Sequence, residues 1–429
     1  MWEKIVILGA GVSGLSAGYH LKLKEMDSLI FEKNQSYGGL CDNFTIDGFR
    51  FDKFVHFSHT RNNYVLELFS QSSDYYSYSP RASNYYHGIW LKHPVQTNLY
   101  PLDTSEKIKI ILDFLNAPKY TQPKNYEEWL RSAYGVYFSK NFPEVYTRKY
   151  WTLEAKYLNT SWIENRMYRP KLEEVLYGAM SEDTKTFYYA SEMRYPKKGG
   201  YKSFLKYMAD FNNIQFNKEV VKIDINNKKI YFQDNTSEKY DILISSIPLP
   251  ELIRMVSYVP EEVKHASQML SFTSGYLVSL GLKRVRSMEN LWFYIYDEDI
   301  LPSRIYFPHL KSPDNIPENL SSLQAEIYFS NFKPLNMDEN EILENTIQQL
   351  ISIGLFSNED IIVKDIRQEK YANVIYDHNI QKARKIVHDF LKKQDIHYIG
   401  RFGEWAYLWS DQSLMSGKIA ADKIFKIIY

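Results

Sequence analysis

The sequence predicts an α/β fold: a doubly wound parallel sheet, interrupted by a helical lobe and by a second lobe on a mixed or antiparallel sheet. Three observations carry that expectation. Residues 5–14 read Ile-Val-Ile-Leu-Gly-Ala-Gly-Val-Ser-Gly, an apolar strand that runs into three spaced glycines, Gly9, Gly11 and Gly14. Residues 28–32 form a second apolar run that closes on Glu32. Residues 241–248 form a third, ending at Pro248. Strand, glycine turn, helix, second strand and acid, in this order, make a Rossmann-like unit that holds a dinucleotide. Gly9 turns the chain, Gly11 lets backbone approach a pyrophosphate, and Gly14 lets the helix pack close to the strand. The helix N-terminus offers unpaired N–H groups to the phosphates. Glu32 can accept from ribose hydroxyls and would repel a 2′-phosphate.

The other elements follow in chain order. The dinucleotide lobe is discontinuous, built from 1–65, 190–250 and 395–429. Residues 66–189 read as the helical lobe, with helices expected over 106–116, 126–134 and 172–180. Residues 220–225 and 229–232 alternate as a hairpin that turns at Asn226 and Asn227. Residues 251–394 read as the sheet lobe, with strands near 275–281 and 322–329. The acidic run 338–344 reads as a solvated helix face near a helix start. The tail, from 398, runs strand, loop and amphipathic helix.

Bulk properties exclude several classes. The chain has 429 residues, enough for two or three packed lobes. Lys+Arg and Asp+Glu are 52 each, so no net charge draws the protein to nucleic acid. No apolar run approaches the ~18 residues of a membrane helix. The N-terminal apolar run ends in the glycine turn and so reads as a strand rather than a signal peptide. Cys41 is the one cysteine, which rules out an internal disulfide framework and suits a cytoplasmic setting. No metal-ligand spacing and no Ser-His-Asp or Cys-His set is visible. The 36 tyrosines supply many flat surfaces with a polar tip.

Gly38 and Gly39, just after Glu32, resemble the second glycine pair of FAD proteins of the amine oxidase and protoporphyrinogen oxidase type, and so favour FAD over NAD. Segments scattered over nearly the whole chain resemble one family, the UDP-galactopyranose mutases, in particular its eukaryotic-type members. Tyr150-Trp151, then Asn159-Thr-Ser-Trp162-Ile and Arg166, match a tryptophan, a Thr-Ser-Trp-Ile and a substrate-phosphate arginine. Trp292, Tyr294 and Arg304 match an aromatic pair and a second phosphate arginine. Pro94-Val-Gln96-Thr-Asn98 is similar to a segment whose glutamine contacts uracil. Residues 400–407 end on Tyr407, which matches a diphosphate-binding tyrosine. Phe51-Asp52 with His56 matches a loop that runs under the isoalloxazine. The resemblance further implies cofactor contacts from Lys33, Leu40, Val221, Gly403, Gln412, Ser413 and Leu414. It implies substrate contacts from Trp151, Trp162, Lys311, Tyr371 and Tyr376.

These residue types suit the implied chemistry. Two guanidiniums, Arg166 and Arg304, can clamp a nucleotide diphosphate and stabilise it as leaving group. Tyr407 adds a donor without charge, and the tryptophans offer flat walls. His56 would tune the flavin. In the family, reduced FAD is the active form and attacks the anomeric carbon, so pyranose and furanose rings interconvert without net redox change. A UDP-sugar is then the favoured substrate, and a donor such as NAD(P)H primes the flavin. Each arginine has an alternative role as the partner of a core carboxylate.

The chain departs from the family at several positions. Phe54 and Val55 replace two loop glycines, His93 and Lys311 stand where eukaryotic-type members have tyrosines, and Asn373 falls at another. These changes point to a related enzyme with a different sugar or nucleotide. Two other readings stay open: a flavin oxidoreductase of the amine oxidase type, and a non-catalytic flavin-binding homologue in a glycan-assembly complex.

Overall fold

The computed structural model describes residues 3–163, 166–184, 191–286 and 289–428. The expected lobe boundary at 189 and 190 lies outside them, whereas most of the segment 190–250 is described. The N-terminal strand Ile5–Leu8 is fully buried on both faces and carries Ile, Val, Ile and Leu, as a central parallel strand requires. It pairs with Ser28–Phe31 on one side and Ile242–Ser245 on the other, both parallel. Asn213–Gln215 and Ile396–Tyr398 complete a five-stranded sheet in the order 396, 242, 5, 28, 213. The strand order reverses at Ile5–Leu8, which puts the glycine turn at the crevice where α/β sheets bind ligands.

Helix Val12–Lys22 follows that turn and is buried along nearly its whole length. It is covered by the C-terminal helix Ser410–Ile428, which approaches so closely that a Cβ on Gly417 would lie 2.2 Å from the Ser13 carbonyl oxygen. Beside the sheet, Val220–Asp224, Lys229–Phe232 and Ser237–Lys239 form the expected hairpin and one further strand. Phe232 packs on Phe31 of the parallel sheet, ring centroids 4.5 Å apart.

The second sheet has seven strands in the order Ile361–Val374, Phe272–Leu282, Ser321–Phe329, Arg304–Tyr306, Trp292–Ile295, Ala82–Tyr86 and Ile89–Lys92. Only the pairing of Trp292–Ile295 with Ala82–Tyr86 is parallel. This corrects one expectation. The hairpin 82–92 lies in the stretch read as helical, yet it extends the second sheet. Its turn uses His87 and Gly88 at φ 47° and 82°, the geometry of a tight hairpin. Tyr75–Tyr78 is a further strand in that stretch and pairs with Met193–Pro196.

Helices form at Thr104–Leu115, Tyr126–Tyr134 and Leu172–Met180. Asn125 caps the second through Glu128 N, and Gly135 at φ 86° stops it. The acidic run begins helix Glu339–Ser352, capped by Asp338, whose carboxylate accepts from Glu341 N while its own N–H donates to the Glu341 carboxylate.

Candidate active site

The glycine turn and the glycine pair make one backbone cradle. Gly9 leaves the strand at φ +94°, and a Cβ on Gly14 would lie 1.9 Å from the Gly9 carbonyl oxygen. A Cβ on Gly11, by contrast, would meet nothing within 4 Å, so open space faces this residue. Gly38 (φ +115°) donates its N–H to the Ala10 carbonyl at 2.8 Å. Gly39 sits so close that its Cβ would be 3.3 Å from Gly11 Cα. Glu32 is buried beside the turn. It accepts from Ala10 N (2.8 Å), Asn34 N (2.9 Å) and Asn34 Nδ2 (2.7 Å). A carboxylate has about four acceptor positions, so one is left for a hydroxyl. Val221 is the bulged residue of its strand, where the register slips between Val220 and Lys222. Its side chain and that of Lys33 face solvent. This open, glycine-lined cradle with a buried acid fits a dinucleotide.

The tail closes the cradle. A Cβ on Gly403 would lie 3.1 Å from the Ser245 carbonyl oxygen. Gln412 caps the last helix through Trp409 N at 2.9 Å. Ser413 and Leu414 are buried, and the Leu414 carbonyl accepts from Ser16 Oγ at 2.6 Å. The Leu414 side chain packs inward, which fastens the helix rather than lining the cradle.

The loop after Asp52 carries His56. Its Nδ1 lies 3.3 Å from the Phe54 carbonyl and its ring 5.2 Å from that of Tyr201. Burial pulls its pKa down to about 4, with Asp52 opposing. Phe54, one of the two glycine replacements, still adopts φ 63°. Its ring stacks on Tyr328 at 5.8 Å and fills the notch over Gly275, where a Cβ would be 2.7 Å away. Leu40, next to the glycine pair, packs against the same cluster.

A ladder of aromatic and cationic groups runs from Arg166 to Arg304. The Arg166 guanidinium lies 4.2 Å from the Tyr407 ring and 4.6 Å from the Trp409 ring, and Nη2 donates to the Tyr407 carbonyl at 2.5 Å. The Tyr407 hydroxyl is 3.5 Å from that of Tyr150, and Arg304 lies 5.9 Å from the Tyr150 ring. Trp151 and Trp162 pack edgewise against Tyr407 at 5.4 and 6.2 Å. Tyr376 holds this tyrosine by accepting from its backbone N–H at 2.7 Å. The Tyr294 ring lies tilted against His93 (5.0 Å) and edge-on to Tyr146 (5.3 Å). Gln96 sits half-buried, 3.5 Å from the Tyr168 carbonyl. Arg304 does find a core carboxylate: Nε and Nη2 bond Glu326 Oε2 at 2.7 and 2.6 Å. Nη1 takes no part in that pair.

Three expected substrate contacts are corrected. Lys311 is fully buried and pairs with Asp52 inside a ring of Tyr195, Tyr306 and Phe57. Its amine is committed to that pair and cannot reach a phosphate in the cleft. Tyr371 stacks on Phe272 at 4.3 Å and donates to Glu251 Oε1 at 2.9 Å, away from the ladder. Trp292 is a core residue against Phe57 at 5.8 Å, with no free face to offer.

Sequence reasoning missed Arg401. Its guanidinium lies 4.9 Å from the Tyr407 ring, its Nη2 donates to Asn373 Oδ1 at 2.7 Å, and its buried Nε has no partner. Asn373 also accepts from the Tyr150 hydroxyl at 3.1 Å. The signal was present in Gly400-Arg401-Phe-Gly403, an arginine between two glycines of the cradle. Among the described residues no His, Cys, Asp and Glu cluster could hold a metal, and no helix is long and apolar enough to cross a membrane.

Several histidines here are neutral by burial. His56, His59 and His93 are each lowered to about 4, against about 6.5 in an unfolded chain. Between these values the unfolded state binds more protons, so stability is complete above about pH 6.5 and falls as pH drops towards 4. The urea midpoint is expected to be lower at about pH 5 than at about pH 7.5. A midpoint constant over that window contradicts the burial of these rings.

A family model described as an NAD(P)-binding Rossmann-like domain matches residues 7–72. The zeta-carotene-forming phytoene desaturase of Myxococcus xanthus is 45% identical over 50 residues, 12% of this chain and only 10% of the desaturase. An uncharacterised protein in the nifH2 3′ region of Methanothermococcus thermolithotrophicus is 36% identical over 84 residues, 17% of this chain and 81% of that protein. A crystal structure of reduced UDP-galactopyranose mutase superposes with a TM-score of 0.94 at 23% identity, covering 100% of this chain and 94% of that one. A putative protoporphyrinogen oxidase from Exiguobacterium sp. 255-15 gives 0.74 at 15% identity, covering 99% of both. At these identities the structural likeness speaks for the fold. The chain belongs to the same family as the Methanothermococcus protein, and to the superfamily of FAD/NAD(P)-binding Rossmann-fold proteins.

Proposed function

We propose that this protein is a flavin-dependent mutase that interconverts the pyranose and furanose forms of a nucleotide-diphosphate sugar, with a UDP-sugar favoured. The observation that carries this reading is the ladder Arg166, Tyr407, Tyr150, Arg304: two cations joined by two hydroxyls. Cations and hydroxyl donors in one row suit an anionic diphosphate better than a neutral or cationic substrate. The glycine cradle and Glu32 would hold FAD, which when bound and reduced would supply a nucleophile for the anomeric carbon.

The chain's own residues do the rest. Arg166 and Nη1 of Arg304 bind the diphosphate and stabilise it as the anomeric C–O bond breaks. Tyr407 and Tyr150 donate to its oxygens. Trp151 and Trp162, buried behind Tyr407, hold that ring in place, and Gln96 with His93 would contact the base. His56, neutral at physiological pH, can give or accept a hydrogen bond without adding charge. A nicotinamide donor would share the cleft, since the sequence has no second glycine-rich dinucleotide turn.

One observation favours an FAD oxidoreductase of the amine oxidase or protoporphyrinogen oxidase type: Glu326 offsets the charge of Arg304. Calorimetric titration of the FAD-loaded protein separates the two. The mutase reading expects UDP to bind with a Kd in the micromolar range and an amine such as putrescine not to bind. Amine binding without UDP binding favours the oxidoreductase.

A further inference from the structure

Glu326 is fully buried, and its two oxygens face opposite parts of the site. Oε2 is held by Arg304 and by the Tyr328 hydroxyl at 2.7 Å. Oε1 accepts the N–H of Val55 at 2.7 Å. One carboxylate therefore joins the guanidinium at the end of the cationic ladder to the backbone of the loop that carries His56. The strands set this up: Arg304 and Glu326 are direct cross-strand partners, and Leu277 flanks Glu326 on the other side. Phe54 makes the second attachment. Its left-handed backbone aims the ring onto Tyr328, the residue that also donates to Glu326. The Val55 bond is a backbone one that a glycine could also make, whereas the Phe54 ring contact is lost with a glycine, so it is Phe54 that adds an anchor to the loop.

We propose that Glu326 is a positioning residue that makes the orientation of Arg304 and the conformation of the His56 loop interdependent, with Phe54 as the latch. The roles of the two ends rest on the mutase reading, but the coupling itself does not. A buried carboxylate must keep its donors, because losing one leaves an unpaired charge in a dry site. Moving the loop thus disturbs the carboxylate that fixes Arg304, and altering Arg304 frees the carboxylate that fixes the loop. The effect is reciprocal, as any linkage between two sites must be.

The test is amide hydrogen exchange over 53–58 in FAD-loaded wild type, R304K and E326Q, with the helix Ser410–Ile428 as a remote control, together with UDP titration of F54G. Among the described residues no hydrogen bond or ion pair joins Arg304 to the loop directly, so a purely local role predicts no change there. Coupling predicts exchange over 53–58 about tenfold faster in R304K and in E326Q, with the remote helix unaltered. It also predicts that F54G weakens UDP binding about tenfold without touching either arginine. Unchanged exchange over 53–58 in R304K overturns the proposal, as does unchanged exchange in E326Q should R304K fail to fold. If wild type does not bind UDP at all, the mutase reading fails, and the exchange result alone still decides the coupling.

Discussion

Replacing Arg166 with alanine is expected to lower kcat/KM for the nucleotide sugar by roughly 30- to 5,000-fold, which corresponds to the 2–5 kcal/mol typical of removing one partner of a desolvated charge pair. The geometry makes this the cleaner of the two arginine tests. Arg166 is half-buried, its guanidinium lies over the Tyr407 and Trp409 rings, and it donates to the Tyr407 carbonyl. Circular dichroism of the variant separates a folding defect from a loss of binding. Arg304→Ala would abandon Glu326 in the core and mix a stability cost with the functional one. Arg166→Lys keeps the charge but not the planar fork, and should recover only part of the loss. Steady-state kinetics on folded variants checks this. Wild-type kcat/KM in Arg166→Ala would remove the arginine from the binding machinery.

Replacing Lys311 with methionine is expected to destabilise the fold by about 3–5 kcal/mol, the usual cost of breaking a buried ion pair from one side. Lys311 and Asp52 are both wholly removed from solvent. Asp52 would keep its bonds from the Tyr195 hydroxyl (2.8 Å) and Tyr201 N (3.0 Å), but not its counter-charge. Urea unfolding reads the loss directly. The paired change Asp52→Asn with Lys311→Met should recover much of it, because the pair in place is worth little more than an apolar substitute. An unchanged midpoint in the single variant would show that Lys311 is not buried against Asp52.

What the sequence revealed, and what it hid, follows from how each feature is specified. The glycines and Glu32 were legible because a dinucleotide dictates backbone geometry at fixed spacing. Helices Tyr126–Tyr134 and Leu172–Met180 were legible because their ends carry local signals, such as Asn125 and Gly135. The hairpin 82–92 was not, because Ala82, Ser83 and Asn84 are all buried and leave no alternation to read. Lys311 looked like a phosphate ligand because its partner Asp52 lies 259 residues away in sequence. Glu326 and Arg401 act only through neighbours brought together by the second sheet and the tail. Phe54 was visible as a lost glycine, but its retained left-handed backbone was not.

Conversion of a panel of UDP-, dTDP- and GDP-sugars by the anaerobically reduced protein decides whether it is a mutase. Products are resolved by ion-pair chromatography and NMR, with the oxidised protein as control. A mutase gives a ring-size isomer of one nucleotide sugar, formed by the reduced protein and not by the oxidised one. No isomer across the panel, with the oxidised flavin bleached instead by an amine or another reductant, would contradict it and leave Arg166 and Arg304 as structural residues.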